Sequence, residues 1–198
     1  ASLYLNAGMD IIAVVDPVTS QVSPRTFSSF LTEPFTHVFD FIRSKGAFSA
    51  FFVCGDATKN IEGMCQTHPD SIAVDENIDM VAVKPITDQY HIVLQGNIPL
   101  TTRMLLGNQQ DNMKYVVDLL ENLPNHNNLI VSPGCDMPYD TPVENVIAAV
   151  EAIRDPENTR LILANYQAQE MDLDSIDIPD YNTLTIPLME VFTLDSAT

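Results

Sequence analysis

The run Ser49-Ala-Phe-Phe-Val-Cys54-Gly-Asp-Ala-Thr58 consists of strand-forming apolar residues that end in a thiol, after which Gly, Asp and Thr turn the chain away. Continuous apolar runs of this kind are typical of buried parallel strands, and functional groups gather at the carboxyl ends of such strands. A second run, Asn128–Cys135, also ends in a thiol. The sequence therefore predicts that Cys54 and Cys135 lie at the same edge of one sheet.

Three further apolar runs predict strands at Asp10–Asp16, Ser71–Glu76 and His91–Asn97. The segments that follow the strands carry apolar residues mostly at helical spacing. Repeated strand–helix units indicate an α/β fold with a parallel sheet. The sequence contains no glycine-rich dinucleotide or phosphate loop that would indicate a nucleotide site.

Polar residues at three positions predict where helices begin. Ser23, followed by Pro, starts a predicted helix that runs to Gly46, and Asn108 caps a second helix. Thr141–Glu144 matches a capping box at the start of a third helix.

The chain is strongly acidic, with a formal net charge of −18. So few basic residues argue against a nucleic-acid or anionic-membrane partner, because phosphates would remain unneutralised. Three cysteines do not form a disulfide framework, which favours a reducing, cytoplasmic location. No apolar run is long enough for a membrane span.

Four loop motifs, Val53–Thr58, Val74–Asn77, Leu94–Asn97 and Ser132–Pro138, occur in an order that resembles the C-terminal part of the uroporphyrinogen decarboxylase superfamily. The likeness is greater to its cobalamin-dependent branch, which includes methylcobalamin:coenzyme M methyltransferases. That superfamily is a (β/α)8 barrel, so the resemblance implies that residues 1–156 are the C-terminal five-eighths of a TIM barrel. Five units cannot close a barrel, so we expect a fragment that self-associates to cover its open sheet edges.

The composition changes after residue 156. Residues 157–184 are acidic and weakly periodic, which predicts a linker. Residues 185–198 contain one last apolar run and resemble the first strand of a thioredoxin-like domain.

The resemblance also implies a zinc site. In the methyltransferase branch, a His-x-Cys and a later Cys bind zinc, and Cys54 and Cys135 stand at the two Cys positions. Phe52 stands at the His position, so a third ligand must come from a carboxylate at the same edge. The candidates are Asp56, Asp75, Glu76 and Asp136, of which we select Asp56. The alternative is that both cysteines are buried and bind no metal.

Other polar residues stand at the ends of the third and fourth predicted strands. Asp75 and Glu76 form a candidate general-base pair, with helix capping or an ion pair as the alternative. Gln95 and Asn97 are candidate ligand-binding amides, with contacts that shape the loop as the alternative. Cys65, on a predicted helix beside Met64, is expected to be a core residue.

These residues and the resemblance together favour a methyltransferase-like domain in which a zinc-activated small thiol accepts a methyl group from a corrinoid. The corrinoid is methylcobalamin, either free or on a partner protein. One alternative is uroporphyrinogen decarboxylase, an enzyme of porphyrin biosynthesis, although acidic strand ends would repel its polycarboxylate substrate. The other alternative is a non-catalytic relative that binds a corrinoid or tetrapyrrole.

Overall fold

Five parallel strands form a single sheet in the computed structural model, which describes residues 1–166. The strands are β1 (Ile11–Val15), β2 (Phe48–Val53), β3 (Ser71–Val74), β4 (Val93–Ile98) and β5 (Leu129–Pro133). The helices are α1 (Ser2–Asn6), α2 (Pro24–Phe30), α3 (Thr32–Ser44), α4 (Ile61–Cys65), α5 (Met80–Gln89), α6 (Gln109–Asn122), α7 (Val143–Arg154) and α8 (Pro156–Ile162). Short 3₁₀ turns lie at Pro17–Ser20, Thr58–Asn60 and Leu163–Asn165, and a π-helical segment at Leu100–Leu105.

The order of the strands in the sheet is their order in the chain, β1-β2-β3-β4-β5. In a doubly wound sheet the order reverses part-way, which places helices on both faces, whereas a barrel wall keeps sequential order. The sequential order confirms the predicted fold class, an α/β chain that forms part of a barrel.

The two faces of the sheet differ in burial. Side chains such as Phe51, Ile72 and Leu94 point to the helices and are fully buried in the main core. On the opposite face, Phe48 and Ile11 are both 62% exposed. Among residues 1–166 this second face has no covering layer, as expected for the inner wall of an incomplete barrel. Self-association that covers the open sheet edges stays a prediction.

The helices differ from the predicted ones in two places. The predicted helix from Ser23 to Gly46 is two helices, α2 and α3, which meet at Leu31. The capping box at Thr141 is wrong, because α7 begins at Val143 and no side chain caps it. The other two starts are confirmed: Ser23 accepts the N–H of Thr26, and Asn108 forms a reciprocal capping box with Asp111.

The compact unit extends past the predicted domain boundary at residue 156. It includes α8 and ends at Tyr166, so the first residues of the predicted linker are helical. The rest of that linker and the predicted strand within 185–198 lie outside the described residues. Within residues 1–166, no helix is both long and apolar enough to cross a membrane.

Candidate functional site

The two predicted site thiols are in contact. Cys54 follows the last residue of β2, Cys135 follows β5 by two positions, and their Sγ atoms are 3.7 Å apart. Two strands, β3 and β4, separate β2 from β5 in the sheet, so the contact is made by the loops and not by neighbouring strands.

Close packing of the loops over β3 and β4 brings the thiols together. The N–H of Gly134 donates to the carbonyl of Ile98, which turns the chain after β5 over the end of β4. A Cβ on Gly134 would lie only 3.0 Å from the backbone nitrogen of Glu76, so only glycine fits here without displacing the loop after β3. On the other side, the buried Asp75 carboxylate accepts the N–H of Gly55, next to Cys54.

The surroundings of Cys54 favour its neutral form. Burial, the hydrogen bond with Cys135 and the charges of Cys135, Asp75 and Asp136 raise the pKa of Cys54 to about 11. Neighbouring negative charge destabilises a thiolate and stabilises any cation that binds beside it. The site therefore has an acidic environment in which a thiolate needs positive charge nearby.

The predicted third metal ligand, Asp56, does not join the two thiols. Its exposed carboxylate accepts the backbone N–H of Thr58, and the hydrogen bonds from Thr58 hold the pKa of Asp56 below its ordinary value. An aspartate that accepts the backbone N–H of the residue two positions later forms a local turn. This hydrogen bond competes with binding of the carboxylate to a metal ion. Among residues 1–166, no three His, Cys, Asp or Glu side chains are grouped so that they could hold a metal ion.

The carboxylate of Asp75 joins the loop after β2 to the loop after β3 by hydrogen bonds. Besides Gly55, its carboxylate accepts hydrogen bonds from the backbone and the side chain of Asn77. Glu76 is exposed beside Gly134. The predicted general-base pair is therefore divided between a buried, hydrogen-bonded carboxylate and an exposed one.

The amides of Gln95 and Asn97 also differ. Asn97 is buried, its Nδ2 donates to the carbonyls of Asp75 and Ile78, and its Oδ1 accepts from the hydroxyl of Tyr115. Burial raises the pKa of Tyr115 to about 12, so the hydroxyl keeps its proton at neutral pH. Asn97 therefore ties β4 to the loop after β3 and to α6, whereas Gln95 faces the open side of the sheet.

A cavity of about 210 Å³ lies on that open face and reaches one of the thiols. Its walls include Ala13, Ala50, Phe52, Ala73, Gln95 and Cys135. Sequence reasoning missed the three alanines, although the signal was there: each is a small residue inside an apolar strand. Ala13 pairs with Ala50, and Ala73 pairs with Phe52 in the sheet. The three small alanine side chains leave space beside the Phe52 ring on one face. A larger cavity of about 420 Å³ lies at β1, the edge strand, and is lined by residues of α1, β1 and α3. None of the predicted site residues lines it.

Comparison with known proteins identifies the family. The model of the family described as uroporphyrinogen decarboxylase (URO-D) matches residues 1–156. The chain belongs to the uroporphyrinogen decarboxylase family. Methylcobamide:CoM methyltransferase MtaA of Methanosarcina barkeri (strain Fusaro / DSM 804) is 30% identical over 157 residues, which cover 77% of this chain and 43% of that protein. A second MtaA sequence from Methanosarcina barkeri matches with the same identity and coverage.

A solved structure supports the same assignment. The methyltransferase from Methanosarcina mazei superposes with a TM-score of 0.64 and 26% identity, and the match covers 76% of this chain and 43% of that one. These relatives confirm the predicted likeness of this URO-D family chain to the methyltransferase branch. The chain spans less than half the length of each of these relatives.

Proposed function

We propose that this URO-D family chain carries two thiolate ligands, Cys54 and Cys135, of a zinc site in a corrinoid-dependent methyltransferase. The observation that carries the proposal is the 3.7 Å separation of the two Sγ atoms. Two sulfurs at the usual Zn–S distance of about 2.3 Å and at a tetrahedral angle are about 3.8 Å apart. The thiols thus have the separation that one tetrahedral ion requires.

The number of ligands is smaller than in a complete site. Phe52, on the same face of β2 as Cys54, contributes an apolar ring where a third ligand would stand, and Asp56 is turned away. A structural zinc site with four ligands is worth about 10–16 kcal/mol, so two ligands supply roughly 5–8 kcal/mol, or a Kd of about 1–200 µM. We therefore propose a weak zinc site in residues 1–166.

The residues around the thiols support binding of a cation and of a small acceptor. Asp75 and Asp136 place negative charge beside Cys54, which favours a divalent ion. The cavity beside Cys135 has room for a small molecule, with Gln95 as a hydrogen-bonding group. Zinc bound at the thiols would lower the pKa of an acceptor thiol, so that the thiolate forms at neutral pH. We propose a small thiol as acceptor and a methylated corrinoid, free or on a partner protein, as donor, as the names of the relatives suggest.

Zinc titration of the metal-free protein tests this function. We expect about one zinc per chain with a micromolar Kd, and loss of binding in Cys54→Ser and in Cys135→Ser. Cys65→Ser is the matched control, because Cys65 is buried on α4 and should not affect binding. Wild-type protein that binds zinc no better than the two serine variants would refute the proposal.

Phe52 also supports a second candidate, a non-catalytic relative that binds a corrinoid or tetrapyrrole on the open face. This alternative predicts no zinc binding at millimolar concentration and a wild-type protein that binds cobalamin. A spectral titration with cobalamin, compared between wild type and Cys135→Ser, separates the candidates, because binding without metal should not depend on that thiol.

A further inference from the structure

The contact between the two thiols permits a reaction that needs no metal. We propose that Cys54 and Cys135 form a reversible dithiol, which small-molecule disulfides oxidise to an intramolecular disulfide. The Sγ atoms are already within hydrogen-bonding distance, 3.7 Å apart. A disulfide bond is about 2.05 Å long, so the sulfurs need to approach by roughly 1.7 Å.

This approach has to come mainly from rotation of the two Cys side chains, because hydrogen bonds from the N–H groups of Gly55 and Gly134 hold the adjacent backbone. Each cysteine lies in a loop after a strand, so neither is held by the hydrogen-bond ladder of the sheet. Each also has a glycine as neighbour, Gly55 after Cys54 and Gly134 before Cys135. Gly55 has a φ of +83°, a conformation that glycine adopts without strain.

Access to the oxidant distinguishes this pair from the third cysteine. Cys54 and Cys135 are partly exposed, and Cys135 borders the 210 Å³ cavity on the open face. Cys65 is fully buried on α4. Oxidation by a molecule in solution should therefore select the pair and leave Cys65 reduced.

The reaction balances as two successive thiol–disulfide exchanges. A thiolate of the pair attacks a sulfur of the oxidant R–S–S–R, which forms a mixed disulfide and releases one R–S⁻. The second thiolate attacks the protein sulfur of that mixed disulfide, forms the Cys54–Cys135 bond and releases another R–S⁻. The two protons of the cysteines end on the released thiols, and the two electrons of the protein reduce the oxidant.

The disulfide would also control the proposed zinc site. Both donor sulfurs are consumed in the oxidised form, so it cannot bind the metal as a dithiolate. The inference itself rests on the thiol contact, and it does not require that zinc binds or that methyl transfer occurs.

Thiol trapping on the metal-free, 198-residue wild-type chain tests the inference. The folded protein is incubated with oxidised glutathione, denatured, alkylated with N-ethylmaleimide and analysed by mass spectrometry. We expect the number of alkylated cysteines to fall from three to one, with Cys65 the one remaining, and a cross-linked Cys54–Cys135 peptide. Persistent glutathione adducts, cross-links between chains, or three alkylated cysteines would each overturn the inference.

Variants and zinc complete the experiment. Cys65→Ser should form the same disulfide as wild type, whereas Cys54→Ser should stop at a glutathione adduct on Cys135. Saturating zinc, added first, should slow disulfide formation by at least about tenfold if the thiols are its ligands. Disulfide formation that zinc does not slow would contradict the proposed metal site and leave the dithiol in place.

Discussion

Phe52→His should convert the two-thiol site into a stronger zinc site. Phe52 and Cys54 are two positions apart along β2 and its end, so their side chains leave the strand on the same face. Phe52 also lines the cavity that Cys135 borders. An imidazole at this position would therefore point into the space next to both sulfurs.

The gain follows from the number of ligands. A four-ligand zinc site is worth about 10–16 kcal/mol, or roughly 3 kcal/mol for each ligand, and 3 kcal/mol corresponds to about 150-fold in affinity. The variant should thus bind zinc about 100-fold more tightly than wild type. In the Cys135→Ser background the same substitution gives a site with two ligands, so the double variant should bind zinc about as tightly as wild type and not more tightly.

Competition with a chromophoric zinc chelator at pH 7 measures the two dissociation constants. Phe48→His is the matched control, since Phe48 lies on the same face of β2 but four residues earlier, roughly 13 Å along the strand. It introduces the same imidazole without placing it near the thiols. Circular dichroism should show that both variants keep the fold.

An unchanged zinc affinity in Phe52→His, equal to that of Phe48→His, would refute the reasoning. Such a result would mean that the imidazole at position 52 does not reach an ion between the sulfurs. It would also favour the non-catalytic alternative, because a histidine at position 52 would then add no zinc affinity.

Two further predictions concern Asp75 and Cys54. Asp75→Asn should lower the free energy of unfolding by about 2 kcal/mol in urea denaturation, because an amide cannot accept from both Gly55 and Asn77 as the buried carboxylate does; an unchanged midpoint would contradict the anchoring role. The alkylation rate of Cys54 in metal-free protein should rise with pH with a midpoint near pH 11, and this midpoint should be lower in Cys135→Ser, since Cys135 helps to raise the pKa of Cys54. The pKa of Cys54 is higher in the folded chain than the ordinary value of a thiol, so the stability contributed by the protonated thiol should be fully present below that ordinary value and lost as the pH rises through about 11. A midpoint near 9 in wild type would show that the environment of Cys54 is not as described.

The strands were predictable because each is a continuous apolar run between polar loops. The predicted and observed strands agree within a few residues, and the sequential order follows from strand–helix repetition. The helix break at Leu31 was less visible, since apolar spacing continues on both sides of it. Periodicity reports which side of a helix is buried, and it does not report a single residue at which the helix is interrupted.

The position of the two thiols at one edge of the sheet was predictable from the sequence. The tertiary contacts that bring the thiols together were not. Sequence placed Cys54 and Cys135 at one edge of the sheet, but their contact depends on Gly134 packing against Glu76, a tertiary approach with no local pattern. Asp56 shows a second contact that the sequence did not indicate. A carboxylate near a thiol looked like a ligand, whereas a local hydrogen bond to Thr58 determines its direction.

The charge around the thiols also separates the candidate reactions. Asp75 and Asp136 raise the pKa of Cys54, so their negative field reaches the sulfurs. The same field raises the free energy of a carboxylate ligand and lowers that of a divalent cation. A decarboxylase substrate with many carboxylates would therefore be repelled at this edge, while a metal ion would be attracted. Electrostatics and thiol separation thus favour the same assignment for independent reasons, a thiolate-bound cation and not a bound polycarboxylate.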